Sequence, residues 1–573
     1  LSDFQEKLSL ATGVSQKAVA FLPLAVYSTA RHGERDSSHG FISLGARLCA
    51  GRERPMTSFP LLSFLTLTPL VGAAIIAGLD PKHRSLARGL GLFFNLLAFG
   101  LAAMVWANFN TASGELQFVE RHDWIPSVGV QYFVGIDGMG LLMVLLTALI
   151  VPFGLLASWR VEENTRGFVS LLLFLQAGLF GAFTALNFIH WFIFYELTLV
   201  PAYFLIKLWG GSQRSAAANQ FFIYTMAGSV TLLLSMLAVY LVTGSFDLIA
   251  LAEKGRSGEL ASLFNVRIAG WYGLSPRTLA LVIFFGAFLG FAVKVPVWPF
   301  HTWLPTTYAE APTGVSMVLT GVMSKMGVYG FLRILLPIFP NEMQIMLTPL
   351  LWLAVATIVF SAWAAMMQRD LKRIVAYSSI NHLGYCLLGI FAVASFTGSE
   401  PRWTTEKTAA LNGVLLQMFN HGITAAALFY FVGLIEQRAG RRGLGDFGGL
   451  RKVAPIFCGL MGIAMFASLG LPGLNGFVGE FLIFKGVFPL AKWAAAFSVI
   501  GLLVTAIFLL TILQRVWSGP LAEQGRGFPD LTVKERLIVL PAIALMFLLG
   551  VWPQLFLQVI NPTVLNIVAG LNG

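Results

Sequence analysis

Between Leu61 and Val551 the sequence returns repeatedly to apolar runs of about 20 residues, each long enough to cross roughly 30 Å of hydrocarbon at 1.5 Å per residue. Hydrocarbon offers no partner to a backbone N–H or C=O, so a crossing segment must close its own hydrogen bonds, as a helix or within a closed barrel. The runs do not alternate polar and apolar residues at period two, and this selects helices. Charged residues make up 11% of the chain, against about 25% in soluble domains. The expectation is an all-α polytopic membrane protein.

About fourteen such runs are expected, from Leu61–Leu79 to Leu537–Val551. Loops after odd-numbered runs hold roughly twice the Lys and Arg of the others, for example Arg369, Lys372, Arg373, Arg441 and Arg442 against Arg121, Lys254 and Arg256. The odd loops are therefore expected in the cytoplasm, in a multi-pass protein of a cell inner (plasma) membrane. Two five-helix blocks stand out, placed at residues 161–340 and 341–518, after N-terminal helices at 56–160 and before a C-terminal loop and last helix at 519–573. Residues 1–55 are polar, Ser/Arg-rich, and carry only one short apolar run, AVAFLPLAV. Such a run is too short to span, though it has the length of a signal-peptide core. The simpler expectation is a start at Met56 and a leader outside the mature fold.

The net charge of +11 does not require nucleic acid, because topology accounts for the basic loops. Cys49, Cys386 and Cys458 form no CxxC pair, no GxGxxG enters a helix after a strand, and no Walker loop is present. No cofactor, metal or redox centre is expected in this chain.

Ionisable residues inside the runs are the informative ones, since each costs about 2.5–3.5 kcal/mol at a span centre. Glu196 lies deep in HWFIFYELTLVPAYFLIKLWGG, as a working charge or a polar contact between helices. Lys207, a secondary candidate, sits near the end of that run, where snorkelling to the interface is the better account. Lys294 is followed by Pro296 and Pro299, which remove amide donors and stop the helix; a broken helix at membrane depth suits an ion site. Lys325 is flanked by Gly321, Gly327 and Gly330, and His382 by Ser378, Ser379 and Asn381. The imidazole reads as a proton relay or as a hydrogen-bonded core histidine. Glu480 follows a second interruption at Pro472 and Gly473 and reads as the counterpart of Lys294 in the second block. His421 is a further relay candidate. Titratable groups spread over several helices suit proton movement better than a solute pocket.

The stretches FAVKVPVWPFHTWLPTTYAEAPT, RDLKRIVAYSSINHLGY and LPGLNGFVGEF resemble the proton-translocating antiporter-like subunits of respiratory complex I, the NADH:quinone oxidoreductase. Glutamate at position 480 favours the M-type branch. The resemblance implies two inverted five-helix repeats, each with a broken helix, and a hydrophilic axis through the membrane. It makes Glu196 and Lys294 a helix-five/broken-helix pair, Lys325 the central lysine, His382 the relay and Glu480 the residue of the second break. It also implies partners: other membrane-arm subunits, above all sister antiporter-like chains, with lipid and internal water around them. A change in the Glu196–Lys294 separation would then act on Lys325, since unit charges about 4 Å apart at an effective dielectric of 20 interact by roughly 4 kcal/mol. The alternatives are a homologous subunit of a multisubunit cation/proton antiporter, a membrane-bound hydrogenase or a photosynthetic-type dehydrogenase. Of other classes, a stand-alone solute transporter or a passive scaffold remains.

Overall fold

A computed structural model describes residues 59–268, 275–395 and 403–572; the leader and its expected start at Met56 lie outside them. Twelve of the described helices are long and apolar enough to cross a membrane, and Leu61–Ala77 and Pro455–Ser468 are shorter apolar helices. Helices α1 (Leu61–Ala77), α2 (Arg84–Asn108) and α3 (Gly138–Ala157) precede the first block. It comprises α4 (Thr165–Thr184), α5 (Phe188–Leu197), α6 (Leu199–Trp209), α7 (Arg214–Thr243), the short α8 (Leu248–Arg256) and α9 (Glu259–Ile268), α10 (Pro276–Lys294), α11 (Trp303–Glu310) and α12 (Thr313–Ile338). The second block runs through α13 (Leu347–Met367), α14 (Leu371–Val393), α15 (Thr404–Ala439), α16 (Pro455–Ser468), α17 (Asn475–Leu490) and α18 (Lys492–Trp517). Because a block crosses an odd number of times, the second one enters from the opposite face, and the two are inverted.

Both blocks contain a broken span. The pair α10/α11 parts at Lys294, where Pro296 and Pro299 cannot donate. Trp303 Nε1 donates to the freed Val293 carbonyl at 3.0 Å, and the Trp298 amide finds Thr357 Oγ1 at 3.1 Å. The pair α16/α17 parts at Pro472, with Gly470 and Gly473 at φ 77° and 93°, a region open to glycine. A milder break separates α5 from α6 at Thr198, where Pro201 leaves the Leu197 carbonyl without its helical donor. Helix α12 is irregular in another way, with π-helical turns at Leu319–Met323 and Phe331–Leu335 on either side of Lys325.

Two features were not expected. A β-hairpin joins α2 to α3, with β1 (Gln117–Ile125) antiparallel to β2 (Val130–Ile136) and Gln117 opposite Ile136. The C-terminal region, read as a loop and one helix, holds two helices, α19 (Val533–Val551) and α20 (Gln554–Asn572). The hairpin lies on the face of the even-numbered loops: Arg121 pairs with Asp247 at 2.8 Å, and Asn566 of α20 donates to Glu115 at 3.2 Å. On the opposite face Arg442 is held by Asp370 (2.6 Å), Glu436 (2.8 Å) and Glu310 (3.2 Å), and Lys372 pairs with Glu436 at 2.6 Å. The α11 end, the α14 start and the α15 end therefore meet in one charge cluster.

The two short apolar helices are capped alike, by carboxylates borrowed from distant segments. At α1, preceded by Pro60, Glu120 of the hairpin accepts from the Leu62 and Ser63 amides at 2.9 and 3.3 Å. At α16, preceded by Ala454, Asp530 accepts from Ile456 and Phe457 at 3.0 and 2.8 Å. Each fills the place of a side-chain cap on otherwise unpaired first-turn donors. Partial burial acts to raise the Asp530 carboxyl, but the amides of Ile456, Leu531 and Phe457 outweigh it and hold the group below the usual carboxylate range. A depressed folded value means the cap contributes above about pH 4, the unfolded value, and is lost as pH falls through the folded one. Asp530→Ala is expected to cost about 1 kcal/mol at neutral pH, read as a lower thermal midpoint of the purified protein. The difference from the parent should shrink in strong acid.

Candidate functional site

The titratable residues of α12, α14, α15 and α17 come together in the core. Lys325 is wholly buried. Its Nζ donates to the Thr320 carbonyl at 2.5 Å, lies 3.4 Å from Ser324 Oγ, and is 2.8 Å from His421 Nδ1. The π turn at Leu319–Met323 adds a residue to the helix and loosens its carbonyls from the regular ladder. The approach of α15 depends on glycine: a Cβ on Gly422 would lie 2.7 Å from the Gly321 carbonyl oxygen. With neither side chain present, the two backbones touch beside His421.

From His421 the row continues. The ring centroids of His421 and His382 are 5.3 Å apart. His382 Nδ1 is 2.9 Å from Glu480 Oε1, and its Nε2 is 3.1 Å from Ser468 Oγ. Gln417 Nε2 donates to the same carboxylate oxygen at 3.1 Å. With Glu480 ionised, His382 donates through Nδ1 and accepts from Ser468 through Nε2. The other carboxylate oxygen rests against Gly470, where a Cβ would come within 2.8 Å of it.

Lys294 and Glu480 were expected at matching places in the two blocks. The structure sets them on opposite sides of their breaks: Lys294 is the last residue of α10, before the interruption, and Glu480 lies in the second turn of α17, after it. Helix polarity accounts for this, since the C-terminal end favours a cation and the N-terminal end an anion.

Lys294 Nζ stands 4.7 Å from the Tyr195 ring centroid, in cation–π range. Among the described residues no ion pair within 4 Å joins it to Glu196, which is half-buried on α5 next to the bend at Thr198, and the two charges stand within electrostatic range of each other. A small cavity lined by Lys294, Trp303, Tyr308, Leu319 and Ser324 connects the first break to the neighbour of Lys325. Lys207 does not join this row. It lies in the last turn of α6, donating to Tyr203 Oη at 2.6 Å.

Gln417 and Ser468 were not singled out in the sequence, and His421, a further relay candidate there, contacts Lys325 directly. The signal was present in α15, where Gln417, Asn420, His421 and Thr424 follow at i, i+3, i+4 and i+7 and share one face. Two interhelical contacts of α12 were likewise not expected: Thr320 Oγ1 to Ser379 Oγ at 3.1 Å, and the partly buried Arg333–Asp137 pair at 2.7 Å. Among the described residues, no three His, Cys, Asp or Glu side chains converge as metal ligands.

Residues 185–507 match the family described as "NADH:quinone oxidoreductase/Mrp antiporter, TM". NADH-quinone oxidoreductase subunit M of Rhodobacter capsulatus is 36% identical over 513 residues, covering 89% of this chain and 96% of that protein. F(420)H(2) dehydrogenase subunit M of Methanosarcina mazei is 35% identical over 520 residues, covering 89% and 99%. A chain of the respiratory complex I structure from Thermus thermophilus with bound NADH matches with a TM-score of 0.75 at 28% identity, over 89% of this chain and 100% of that one. By sequence, by fold and by extent of coverage, the chain belongs to the NADH:quinone oxidoreductase/Mrp antiporter transmembrane family.

Proposed function

We propose that this chain is a proton-translocating membrane-arm subunit of an NADH:quinone oxidoreductase in a bacterial plasma membrane, with sister antiporter-like chains beside it and no redox centre of its own. The observation that carries the reading is the buried run Lys325–His421–His382–Glu480, in which Lys325 bonds directly to one histidine and Glu480 to the other. The name and coverage of the Rhodobacter capsulatus relative support the choice of complex.

In this reading Lys325 is the central proton store. Its ammonium hands a proton along the 2.8 Å contact to His421 Nδ1. The imidazolium then releases a proton from its other nitrogen towards His382, with water or a ring movement closing the 5.3 Å separation. From His382 the proton passes to Glu480, whose orientation Gln417 and Ser468 help to fix. Each hop moves one proton and no electrons. Lys294 is the controlling charge. Close to Glu196 its field is offset; drawn into the cavity by Ser324, the ammonium repels the proton on Lys325. Quinone reduction elsewhere in the complex is the source of the change that moves Lys294.

A second reading keeps the proton path and changes the machine. The Methanosarcina mazei relative is 35% identical and belongs to an F(420)H(2) dehydrogenase, so the path is compatible with another electron donor. Isolation of the tagged complex from its native membrane decides this through the co-purifying subunits and the donor that reduces quinone.

Lys325→Met and Lys294→Ala in that complex are each expected to lower proton pumping and coupled quinone reduction about tenfold or more. For Lys325 this is the scale of losing a buried charge-assisted hydrogen bond of about 1.5–3 kcal/mol. Assembly should persist, as seen on native gels. Parental pumping in both variants would refute the relay.

His421→Phe and Lys207→Ala form a contrasting pair. The first keeps an aromatic ring of similar size and removes both nitrogens, and should lower pumping as severely as Lys325→Met. The second lies outside the row and should pump normally. The opposite ranking would place the working path along α6.

A further inference from the structure

We propose that Tyr385 and Ser498 form a hydroxyl relay beyond Glu480, carrying protons between that carboxyl and the face of the membrane on which α18 begins. The inference rests on the relay reading above and extends it by two residues.

Tyr385 is one turn beyond His382 on α14. Its ring lies 6.1 Å from the His382 ring and 5.6 Å from that of Phe484, which is one turn beyond Glu480 on α17. It therefore stands beside the His382–Glu480 pair. The residue is fully buried, and its hydroxyl makes no hydrogen bond of regular geometry among the described residues, with the Asn381 amide beside it. Opposite that hydroxyl, α18 carries Gly501, where a Cβ would come within 3.0 Å of Tyr385 Oη. One turn along α18, on the same face, Ser498 is also fully buried, and its Oγ is likewise without a partner.

Packing alone does not account for these hydroxyls. Leaving a buried donor or acceptor unmade costs about 1–3 kcal/mol, and phenylalanine and alanine would fill the same places without that cost. The neighbouring polar groups are already engaged: Asn381 donates to the Ile358 carbonyl at 2.9 Å and meets Thr505 Oγ1 at 3.3 Å. Of the two α18 hydroxyls, Thr505 is bonded to Asn381 and Ser498 is the one left without a partner. Ser498 is six residues from the start of α18 at Lys492, about 9 Å of helix from the surface.

A hydroxyl accepts on oxygen while donating its own hydrogen, so it passes a proton without net change. The Glu480 carboxyl gives its proton to Tyr385 Oη, directly or through one water, and the phenol hydrogen leaves on the far side. Ser498 repeats the exchange towards water at the α18 start. No bond between heavy atoms changes and no electron moves.

The test is Tyr385→Phe and Ser498→Ala in the assembled complex, with proton uptake per quinone reduced measured in native membranes. Tyr385→Leu and Glu480→Gln serve as comparisons. Tyr385→Phe is expected to lower uptake several-fold, as severely as Tyr385→Leu, and Ser498→Ala to act in the same direction. The double variant should be no worse than the more severe single one, because both act on one path. A packing role predicts instead that Phe is tolerated and only Leu is harmful, and parental uptake in Tyr385→Phe overturns the proposal. If Glu480→Gln abolishes uptake while Tyr385→Phe is silent, the relay to Glu480 stands and this extension falls. If Glu480→Gln is itself silent, both fall.

Discussion

A buried ammonium must be given acceptors, and the core of this protein is arranged around the one at Lys325. Three groups meet it: a carbonyl loosened by a π turn, a serine hydroxyl on the same helix, and an imidazole nitrogen from α15. The first depends on the irregular winding of α12. The last depends on Gly321 and Gly422, which let two backbones come closer than side chains permit. Neither condition concerns charge. The electrostatics of the site rest on backbone geometry, and the rest of the polar row follows from where His421 is then held.

The two broken spans answer the same constraint in different ways. Hydrocarbon tolerates a non-helical backbone only where protein covers it. At the first break a tryptophan nitrogen and a threonine hydroxyl serve the loosened groups, and the chain spends its prolines there. At the second, glycines in a left-handed conformation turn the chain sharply, and Gly470 leaves room for a carboxylate. One break ends in a cation and the other opens towards an anion. Inversion of the blocks explains the symmetry of the architecture, while helix polarity explains why the charges do not obey it.

Much of this was legible in the residues. Apolar run length predicted the spans, and the prolines after Lys294 marked the first break as surely as the glycines before Glu480 marked the second. Lys325, His382 and Glu480 stood out because hydrocarbon makes each of them costly. What escaped was of two kinds. The hairpin and α20 were hidden because periodicity over short or mildly apolar segments is a weak signal, and their roles, such as the Glu120 cap, are set by distant partners. Gln417 and Ser468 were hidden because uncharged polar residues are common in spans, and only the fold tells which of them face a carboxylate.

The Arg442 cluster has a mechanical side. Glu310 fastens the far end of α11 to the start of α14 and the end of α15, all through one guanidinium. At its other end α11 is tied to α10 by Trp303 Nε1 on the Val293 carbonyl as well as by the loop of the break. A short helix fastened at both ends links the charge cluster on one face to the carbonyl that precedes Lys294. The cluster and the break are thus the two ends of one strut.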